Sequence, residues 1–309
     1  MAGMLSFQAF EVYESEHEIF HNMIIFRERV KRRSFMKLTK MHGLGNDFVV
    51  FVDENGANKD YTDTAIALCD RHTGIGGDGI MVVVPSTIAD TRMRIINADG
   101  SEAEMCGNGI RCFAKYVYER GIITKEQFTI ETLAGIMEPQ LTVVDGKVDL
   151  VTVNMGKPEF EARQIPMDYD APMVQNVPVT VDGDTYEISS VLMGVPHTEV
   201  FVDDVTQVPL TTLGPKLEKH ELFPRGTNVN FVEVVDRKHI KVRTWERGAG
   251  ATLACGTGCC GSVIMAFENG LTDREVDVDV YLGTLHIRYE EDGTVFMTGP
   301  AAEVFETEM

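Results

Sequence analysis

Two copies of one short pattern constrain this chain more than any other feature of its sequence. Each copy has a polar lead-in, then Cys-Gly-polar-Gly, then an apolar helical run, and its cysteine is Cys106 or Cys255. The first N–H groups of a helix are unpaired and lie at the positive end of its dipole, so they bind anions and stabilise a nearby thiolate. The sequence therefore predicts two cysteines at two helix N-termini, 149 residues apart (255 − 106), forming two halves of one site.

The apolar spacing after each cysteine predicts the course of the two helices. Apolar residues between Ile110 and Val117 recur at i, i+3, i+4 and i+7, and Gly121 supplies the stop. The run after Cys255 is almost wholly apolar and ends at Gly270, which is typical of a buried central helix. Short strands separated by turn residues surround both helices, among them strands expected at residues 127–132, 136–144 and 198–202, with His197 in the loop before the last of these. This pattern indicates an α/β (α+β) chain with many antiparallel strands around one central helix, twice.

Chain length and local composition predict two domains and an N-terminal extension. A chain of 309 residues is long for one hydrophobic core. Residues 1–35 carry an acidic stretch and then a basic cluster that fit neither a signal peptide nor a presequence, and a strand-like run begins at Met36. We expect residues 1–35 to be dispensable, 36–150 with about 301–309 to form the first domain, and 151–300 to form the second.

The charge balance excludes several classes of partner. There are 28 Lys and Arg against 48 Asp and Glu, a net charge of −20, which argues against nucleic acid or an anionic membrane. No apolar run approaches the roughly 20 residues that span a bilayer. Six cysteines without a secretory signal favour a reducing cytoplasm, where thiols are catalytic or buried rather than bridged. We therefore expect a cytoplasmic enzyme that acts on a small molecule.

Two cysteines at two helix N-termini fit a two-base proton transfer. One thiolate removes a proton from the substrate and the opposite thiol delivers one to the other face, which inverts the configuration. The substrate's α-carboxylate would lie between the helix ends, against the backbone N–H groups of four residues: Gly107, Asn108, Gly256 and Thr257. His197 and Glu246 are the candidates that tune the thiol pKa values.

The sequence shows no pattern for a cofactor or a metal. The glycine-rich segments at Gly43–Gly45 and Gly74–Gly79 are not followed by the helix or the lysine that nucleotide-binding motifs need. No flavin, nicotinamide or pyridoxal phosphate motif is recognisable, so no organic cofactor is implied. Zinc would need paired Cys or His spacing that the cysteines do not supply, so no metal is expected.

The other cysteines have a simpler interpretation. A free cysteine is often a small buried apolar residue, and we expect this for four of them: Cys69, Cys112, Cys259 and Cys260. A disulfide between Cys106 and Cys255 could form on oxidation if the thiols are close, but a resting structural bridge does not fit a reducing cytoplasm.

At these motifs the chain from Met36 onward resembles the diaminopimelate epimerase family. The matching segments are His42-Gly43-Leu44-Gly45-Asn46-Asp47-Phe48, the motif from Asn97 to Arg111, Pro196-His197, Gly226-Thr227-Asn228, and the motif from Glu246 to Gly258. The resemblance implies a cofactor-independent isomerase that interconverts LL- and meso-2,6-diaminopimelate for lysine and peptidoglycan synthesis. It further implies two pseudo-symmetric domains, each a mostly antiparallel, β-barrel-like sheet around a central helix, with the active site in the cleft between them, and a homodimer.

The resemblance also assigns roles to residues. It makes Cys106 and Cys255 the two bases and gives His197 and Glu246 the role of influencing their pKa values. Substrate contacts carry over to nine positions: Asn46, Asn97, Gly107, Asn108, Asn228, Glu246, Arg247, Gly256 and Thr257. Arg247 and the asparagines suit the distal amino-acid group of the substrate, because a guanidinium and neutral amides together bind a carboxylate and an ammonium.

Two positions depart from the family pattern and keep other functions open. Many members have Gln where Gly79 stands and Asn where Val195 stands, and Val195 cannot form a side-chain hydrogen bond. A racemase of a different amino acid on the same scaffold is therefore the alternative in the same reaction class. A non-catalytic amino-acid-binding protein is a third hypothesis, although binding alone needs no pair of thiols.

Overall fold

The structure is a computed structural model that describes residues 36–309, so the expectation for residues 1–35 lies outside it. Residues 39–306 form one compact unit. Residues 36–38 and 307–309 belong to a second unit, in which Met36 and Met309 exchange two backbone hydrogen bonds. Among the described residues, no helix has both the length and the apolar character that crossing a membrane requires.

The first sheet has eight strands: β1 (Lys37–Gly43), β2 (Asn46–Val52), β3 (Gly79–Val84), β4 (Thr91–Asn97), β5 (Glu102–Ala103), β6 (Ile130–Thr132), β7 (Gly135–Met137) and β19 (Ala302–Glu308). Their order is β19-β1-β2-β3-β4-β6-β7, with β5 paired to β4. Two pairs, β2–β3 and β4–β6, are parallel, and β1–β2, β3–β4, β4–β5 and β6–β7 are antiparallel.

The second sheet has eleven strands: β8 (Gln140–Val144), β9 (Lys147–Gly156), β10 (Val174–Val181), β11 (Asp184–Met193), β12 (Val195–Phe201), β13 (Asn228–Asp236), β14 (His239–Glu246), β15 (Gly250–Thr252), β16 (Glu275–Val280), β17 (Gly283–Tyr289) and β18 (Val295–Gly299). Their order is β10-β11-β12-β13-β14-β16-β17-β18-β9-β8, with β15 paired to β14. Only β12–β13 and β14–β16 are parallel among its pairs.

The helices within the described residues are α1 (Thr62–Cys69), α2 (Gly107–Glu119), α3 (Leu210–Glu218) and α4 (Gly256–Glu268), with a 3-10 turn at Val205–Gln207. Helices α2 and α4 are the two predicted central helices and both have 13 residues. Gly121 and Gly270 follow their ends with φ of 69° and 73°, a conformation that favours glycine. The predicted stops are thereby confirmed.

Helix α2 buries its apolar face in the first core. Ile110, Phe113 and Val117 pack there against side chains of β1 to β4, such as Phe48 and Met81. Strands β8 and β9 are hydrogen-bonded in the second sheet, yet they cover the same helix through four buried residues: Leu141 of β8, and Val148, Val151 and Val153 of β9. The second sheet therefore contributes to both cores.

Helix α4 is buried on all sides, as its apolar run predicts. Its residues Cys259, Val263 and Ile264 are 0% exposed and pack against β11, β13, β14 and β16 to β18. Helix α3 covers the other face of the second sheet through Leu213 and Leu217. Two mostly antiparallel sheets, each with a central helix, confirm the predicted α/β fold class, although neither sheet closes into a barrel.

Three local predictions differ from the structure. The strand expected at residues 127–132 is shorter and runs from Ile130 to Thr132. The single strand expected at residues 136–144 is two strands, β7 and β8, because the chain passes from one sheet to the other between them. His197 was expected in a loop and lies inside β12, whose N-terminal part pairs with β11 from Val195 onward.

Candidate active site

Cys106 and Cys255 occupy equivalent places at the starts of α2 and α4. Both are N-cap residues with extended backbone, at φ −142° and ψ 119° for Cys106 and φ −114° and ψ 109° for Cys255. The carbonyl oxygen of each accepts the first helical hydrogen bond, from the N–H of Ile110 and of Cys259 at 2.8 and 2.9 Å. The repeated Cys-Gly-polar-Gly pattern thus produces two matching helix starts.

One cavity of about 960 Å³ has both cysteines in its wall. Its lining also includes seven of the predicted substrate contacts: Asn46, Asn97, Gly107, Asn108, Glu246, Gly256 and Thr257. The N-termini of both central helices therefore open onto one space between the two sheets. A small anion in this space has unpaired backbone N–H groups available from α2 and from α4.

The Cys106 thiol lies among hydrogen-bonding groups of the first sheet and α2. The Gly109 N–H donates to its Sγ at 3.4 Å, and the Sγ is 3.4 Å from the amide oxygen of Asn46. Asp78 fixes that amide, because the Asn46 Nδ2 donates to the Asp78 carboxylate at 2.7 Å. Arg71 in turn donates to Asp78 at 2.9 Å, so the orientation of Asn46 rests on an ion pair at the cavity wall.

The Cys255 thiol has a different environment. Its Sγ is 3.6 Å from the hydroxyl of Thr257, and the Glu246 carboxyl is close enough to raise its pKa. Thr252 donates to the same carboxyl at 2.5 Å and holds it in place. Glu246 is therefore next to Cys255, as its place before the second motif predicts.

Burial dominates the ionisation of both thiols. It raises the pKa of Cys106, although the N–H groups of Gly109 and Asn108 and the charge of Arg111 lower it. Burial and then the Glu246 carboxyl raise the pKa of Cys255 well above its usual value. Burial also raises the pKa of Glu246. The helix N-termini act in the expected direction, but removing the thiols from water has the larger effect.

His197 lies behind the cavity wall in a buried polar network. The Asn230 amide nitrogen is 3.2 Å from the His197 Nδ1 and 3.1 Å from the Glu199 carboxyl, and Thr244 donates to the Asn230 oxygen at 2.9 Å. All four side chains are 3% exposed or less. Burial lowers the pKa of His197 to about 3, so its ring is neutral at pH 7, and burial raises the pKa of Glu199 well above its usual value.

The predicted distal contacts divide into two groups. Asn97 and Val195 are in the cavity lining, which does not include Asn228 or Arg247 among its residues. Arg247 donates instead to the backbone oxygens of residues 225 and 226 at 3.0 and 3.4 Å. Asn228 donates to the Pro196 oxygen at 3.0 Å and accepts from the Arg247 N–H at 2.8 Å.

Steric crowding explains why residue 79 is a glycine. A Cβ at this position would lie 2.7 Å from the Ile96 backbone oxygen on the neighbouring strand β4, closer than real contacts allow. The chain therefore has no room for the glutamine that many family members carry, unless the strands move. Val195 is 37% exposed in the cavity wall, where an apolar side chain replaces an amide.

Sequence reasoning missed several residues that organise the site. Asp78 and Arg71 orient Asn46, Glu199 and Asn230 surround His197, and Arg111 ends the first cysteine motif. Asp78 and Arg71 could not be linked to Asn46 because the loop between α1 and β3, which carries both, is distant from Asn46 in the chain. The signal in the sequence for Glu199 is a glutamate inside the apolar run that forms β12, because Glu is rarely buried unless it is paired.

Solved structures establish the similarity of the fold. A phenazine biosynthesis protein of the PhzF family from Enterococcus faecalis matches with a TM-score of 0.67 at 14% identity, over 89% of this chain and 99% of its own. A hydroxyproline epimerase from Agrobacterium vitis matches with a TM-score of 0.63 at 16% identity, over 90% of this chain and 91% of its own. At these identities the likeness concerns the fold alone.

Sequence comparisons identify the family. A diaminopimelate epimerase from Caldanaerobacter subterraneus subsp. tengcongensis is 53% identical over 274 residues, 89% of this chain and 99% of the relative. One from Pelotomaculum thermopropionicum is 49% identical over 276 residues, 88% of this chain and 98% of the relative. The family model for diaminopimelate epimerase matches residues 38–161 and 189–304. This chain therefore belongs to the diaminopimelate epimerase family.

Proposed function

We propose that this protein converts LL-2,6-diaminopimelate to meso-2,6-diaminopimelate by a two-base reaction without a cofactor. The observation that carries the proposal is the pair of N-cap cysteines, Cys106 and Cys255, in the wall of one cavity. Binding alone needs no thiols, whereas inversion at a carbon needs one base and one acid on opposite faces. Family membership supports diaminopimelate as the substrate.

The helix N-termini account for the binding of the reacting amino-acid group. The backbone N–H groups of Gly107, Asn108, Gly256 and Thr257 hold the α-carboxylate between α2 and α4. When the α-proton leaves, negative charge moves onto this carboxylate, and the same N–H groups stabilise it in the transition state. Thus one anion site serves both binding and catalysis.

The proton balance follows from the two thiol environments. The thiolate of one cysteine accepts the α-proton, and the S–H of the other cysteine donates a proton to the opposite face of the planar carbon. The pair is then left with its proton on the other sulfur, and proton exchange with water restores the starting state for the next turnover in the same direction. Glu246, which contacts Cys255 and is held by Thr252, is the group that exchanges a proton with Cys255. His197 lies behind the cavity wall with a neutral imidazole ring, and its role is to influence the pKa values of the thiols from there.

The distal group of the substrate determines specificity. Asn46 and Asn97 are in the cavity wall and bind polar groups directly. Arg247 and Asn228 take part after the Arg247 side chain leaves the backbone oxygens of residues 225 and 226. In the cell we place the reaction in the cytoplasm, in lysine and peptidoglycan precursor synthesis, and the enzyme as a homodimer.

A racemase of a different amino acid is the second candidate. It is favoured by Val195, an apolar side chain in the cavity wall where many family members have asparagine. A substrate with an apolar side chain would suit this position better than a second amino-acid group. The same assay across a panel of amino acids distinguishes the two candidates.

The proposal is tested with the reduced protein and LL-diaminopimelate, with no added cofactor, by following the meso product by NMR. We expect turnover by the unaltered protein and a loss of about a hundredfold or more in Cys106→Ser and Cys255→Ser, because each lacks one proton-transfer group. Cys112→Ala is the matched control, since this sulfur is buried in α2 and is absent from the cavity wall. Unchanged turnover in either serine variant would refute the two-base reaction.

A further inference from the structure

Arg111 is a buried cation that has no role in the two-base reaction as proposed. It ends the first cysteine motif and is 0% exposed in α2. In the second motif the equivalent position, five residues after the cysteine, is Cys260. The two helix starts match in backbone but differ in charge, because only the first has an arginine beneath it.

The guanidinium of Arg111 is bound by neutral acceptors alone. It donates to the backbone oxygens of Gly107 and Pro300 at 3.0 and 3.2 Å, to the Asn108 Oδ1 at 3.1 Å and to the Met297 Sδ at 3.7 Å. Across residues 36–309, no carboxylate contacts it. An arginine keeps its charge even when buried, and a buried charge without a counter-ion is costly. This cost indicates that the charge has a role.

The backbone leaves a close-fitting space for the guanidinium. A Cβ at Gly43 would lie 3.1 Å from the Arg111 Nη2, and a Cβ at Gly299 would lie 3.3 Å from its Nε. Both distances are shorter than those of most Cβ contacts in proteins. Two glycines, one from β1 and one from the end of β18, therefore let the backbone approach this side chain closely.

Arg111 determines the orientation of the Asn108 amide. Because a guanidinium only donates hydrogen bonds, the amide oxygen of Asn108 faces Arg111. The amide nitrogen then faces the opposite way, and it donates to the Ala254 oxygen at 3.1 Å. It also lies 3.4 Å from the Asn46 Oδ1, the atom next to the Cys106 thiol. The amide thus connects α2 to the residue that precedes Cys255.

We propose that Arg111 is a positioning residue of the epimerase reaction: through Asn108 it holds the two cysteine-bearing helix starts in register, and its charge stabilises the Cys106 thiolate. This inference rests on the proposed function for its catalytic part. Arg111 exchanges no proton, and its charge stays constant while the proton moves between substrate and thiols. The charge of Arg111 lowers the pKa of Cys106, whereas the Glu246 carboxyl raises the pKa of both thiols and is the second cause, after burial, for Cys255.

The test compares Arg111→Gln and Arg111→Lys with the unaltered protein by two measurements. The first is the rate of Cys106 alkylation by iodoacetamide against pH, with the site located by mass spectrometry, which gives the apparent thiol pKa. The second is kcat and KM for LL-diaminopimelate. In Arg111→Gln we expect the Cys106 pKa to rise by about one unit or more, because an opposite charge is lost. We also expect kcat to fall about tenfold or more.

The Arg111→Lys variant separates the effect of the charge on Cys106 from the effect of the guanidinium on the orientation of Asn108. Lysine keeps the charge but lacks the planar fork that reaches several acceptors, so we expect the Cys106 pKa to stay near that of the unaltered protein while kcat falls more than KM changes. Lys115→Gln is the matched control, since it removes a cation one turn along α2 that donates to Val148 and Glu119. It should lower stability and leave the Cys106 pKa unchanged.

The outcomes that overturn the inference are specific. An unchanged Cys106 pKa in folded Arg111→Gln refutes the charge effect, and an unchanged kcat in folded Arg111→Lys refutes the positioning effect. If Arg111→Gln does not fold, Arg111→Lys still decides the positioning effect. If the unaltered protein does not turn over LL-diaminopimelate, the proposed function fails, while the alkylation measurement still tests the effect of Arg111 on Cys106.

Discussion

At the scale of single residues, the two cysteines share a backbone conformation and differ in their neighbours. Cys106 accepts an N–H bond from Gly109 and has Arg111 beneath its helix, whereas Cys255 contacts Thr257 and the Glu246 carboxyl. A two-base reaction needs one thiol ionised and one protonated at any moment. Because the surroundings of the two thiols are unequal, they favour the state in which one thiol is ionised and the other is protonated. Two thiols in identical surroundings would have no such preference.

Glu199 gives a pH-dependent prediction for stability. Its pKa is raised in the folded protein, so above the usual glutamate pKa of about 4.3 the unfolded chain loses a proton that the folded chain keeps. Stability from this group is therefore greatest at low pH and is lost as the pH rises. We expect Glu199→Gln to raise the thermal midpoint at pH 7 and to have little effect near pH 4, measured by calorimetry.

Two features make this prediction specific. The Glu199 carboxyl accepts from Asn230, and glutamine keeps an oxygen for that bond. Glu187, which lies on the neighbouring strand β11 and is exposed, provides the control, because Glu187→Gln removes a carboxyl outside the core and should leave the midpoint at pH 7 unchanged. A midpoint for Glu199→Gln that is lower at pH 7 than that of the unaltered protein would contradict the assignment of a neutral, buried acid.

Sequence reasoning singles out residues whose motif carries its own chemistry. The two cysteines, Glu246 and the glycines beside the cysteines belong to such motifs, and the structure brings them to one cavity wall. It failed for Asp78 and Glu199, which act through side chains distant in sequence. A hydrogen bond across 32 residues, such as Asn46 to Asp78, leaves no mark on local spacing.

At the scale of elements, helix α4 depends on two of its own glycines. A Cβ at Gly258 would lie 2.5 Å from the Asn230 Oδ1, and one at Gly261 would lie 2.8 Å from the Glu199 Oε1. Glycine is unfavourable inside a helix, so these positions indicate close packing of α4 on the His197 network. The motif therefore serves helix packing as well as the helix start.

Gly258→Ala tests this packing. The added methyl group meets the Asn230 amide, which Thr244 holds, so we expect a loss of about 1–3 kcal/mol in the free energy of unfolding by urea denaturation. The comparison variant is Gly256→Ala, where the nearest atom is the Met297 sulfur at 3.0 Å on a flexible side chain. Equal losses for the two variants would contradict the account of α4.

The elements differ in how well sequence predicts them. Helices α2 and α4 have long apolar patterns with glycine stops, and both were predicted within a few residues of their observed ends. Strands β7 and β8 were predicted as one, because the change of sheet between Met137 and Gln140 depends on pairing partners elsewhere in the chain. Strand pairing is a tertiary property that local alternation does not reveal.

At the scale of the whole molecule, two sheets of eight and eleven strands hold the two helix starts against one cavity. Because β8 and β9 belong to the second sheet and cover the first central helix, the two cores are joined by hydrogen-bonded strands. The Asn108–Ala254 bond adds a direct link at the site itself. The spacing of the helix starts is therefore set by the fold as well as by the substrate.

The proposed homodimer belongs to this scale. Strand β19 is at the edge of the first sheet and exposes two apolar side chains, Val304 at 56% and Phe305 at 44%. An exposed apolar edge strand is a surface that pairs with another chain. We expect light scattering to give a dimer and Phe305→Lys to shift it toward monomer, whereas Val52→Lys, an exposed position of β2, should not. A monomeric unaltered protein would refute the homodimer.

The central claim is that two different thiols handle the proton on the two faces of the carbon. The most direct measurement is the early deuterium content of substrate and product when LL-diaminopimelate reacts in D₂O. The account predicts that the first meso product carries deuterium at the inverted carbon while the remaining LL substrate still carries hydrogen. One sulfur accepts the hydrogen of the substrate, and the other sulfur delivers deuterium that it has taken up from D₂O. Product that retains the substrate's own hydrogen would show that one group does both steps and would contradict the account.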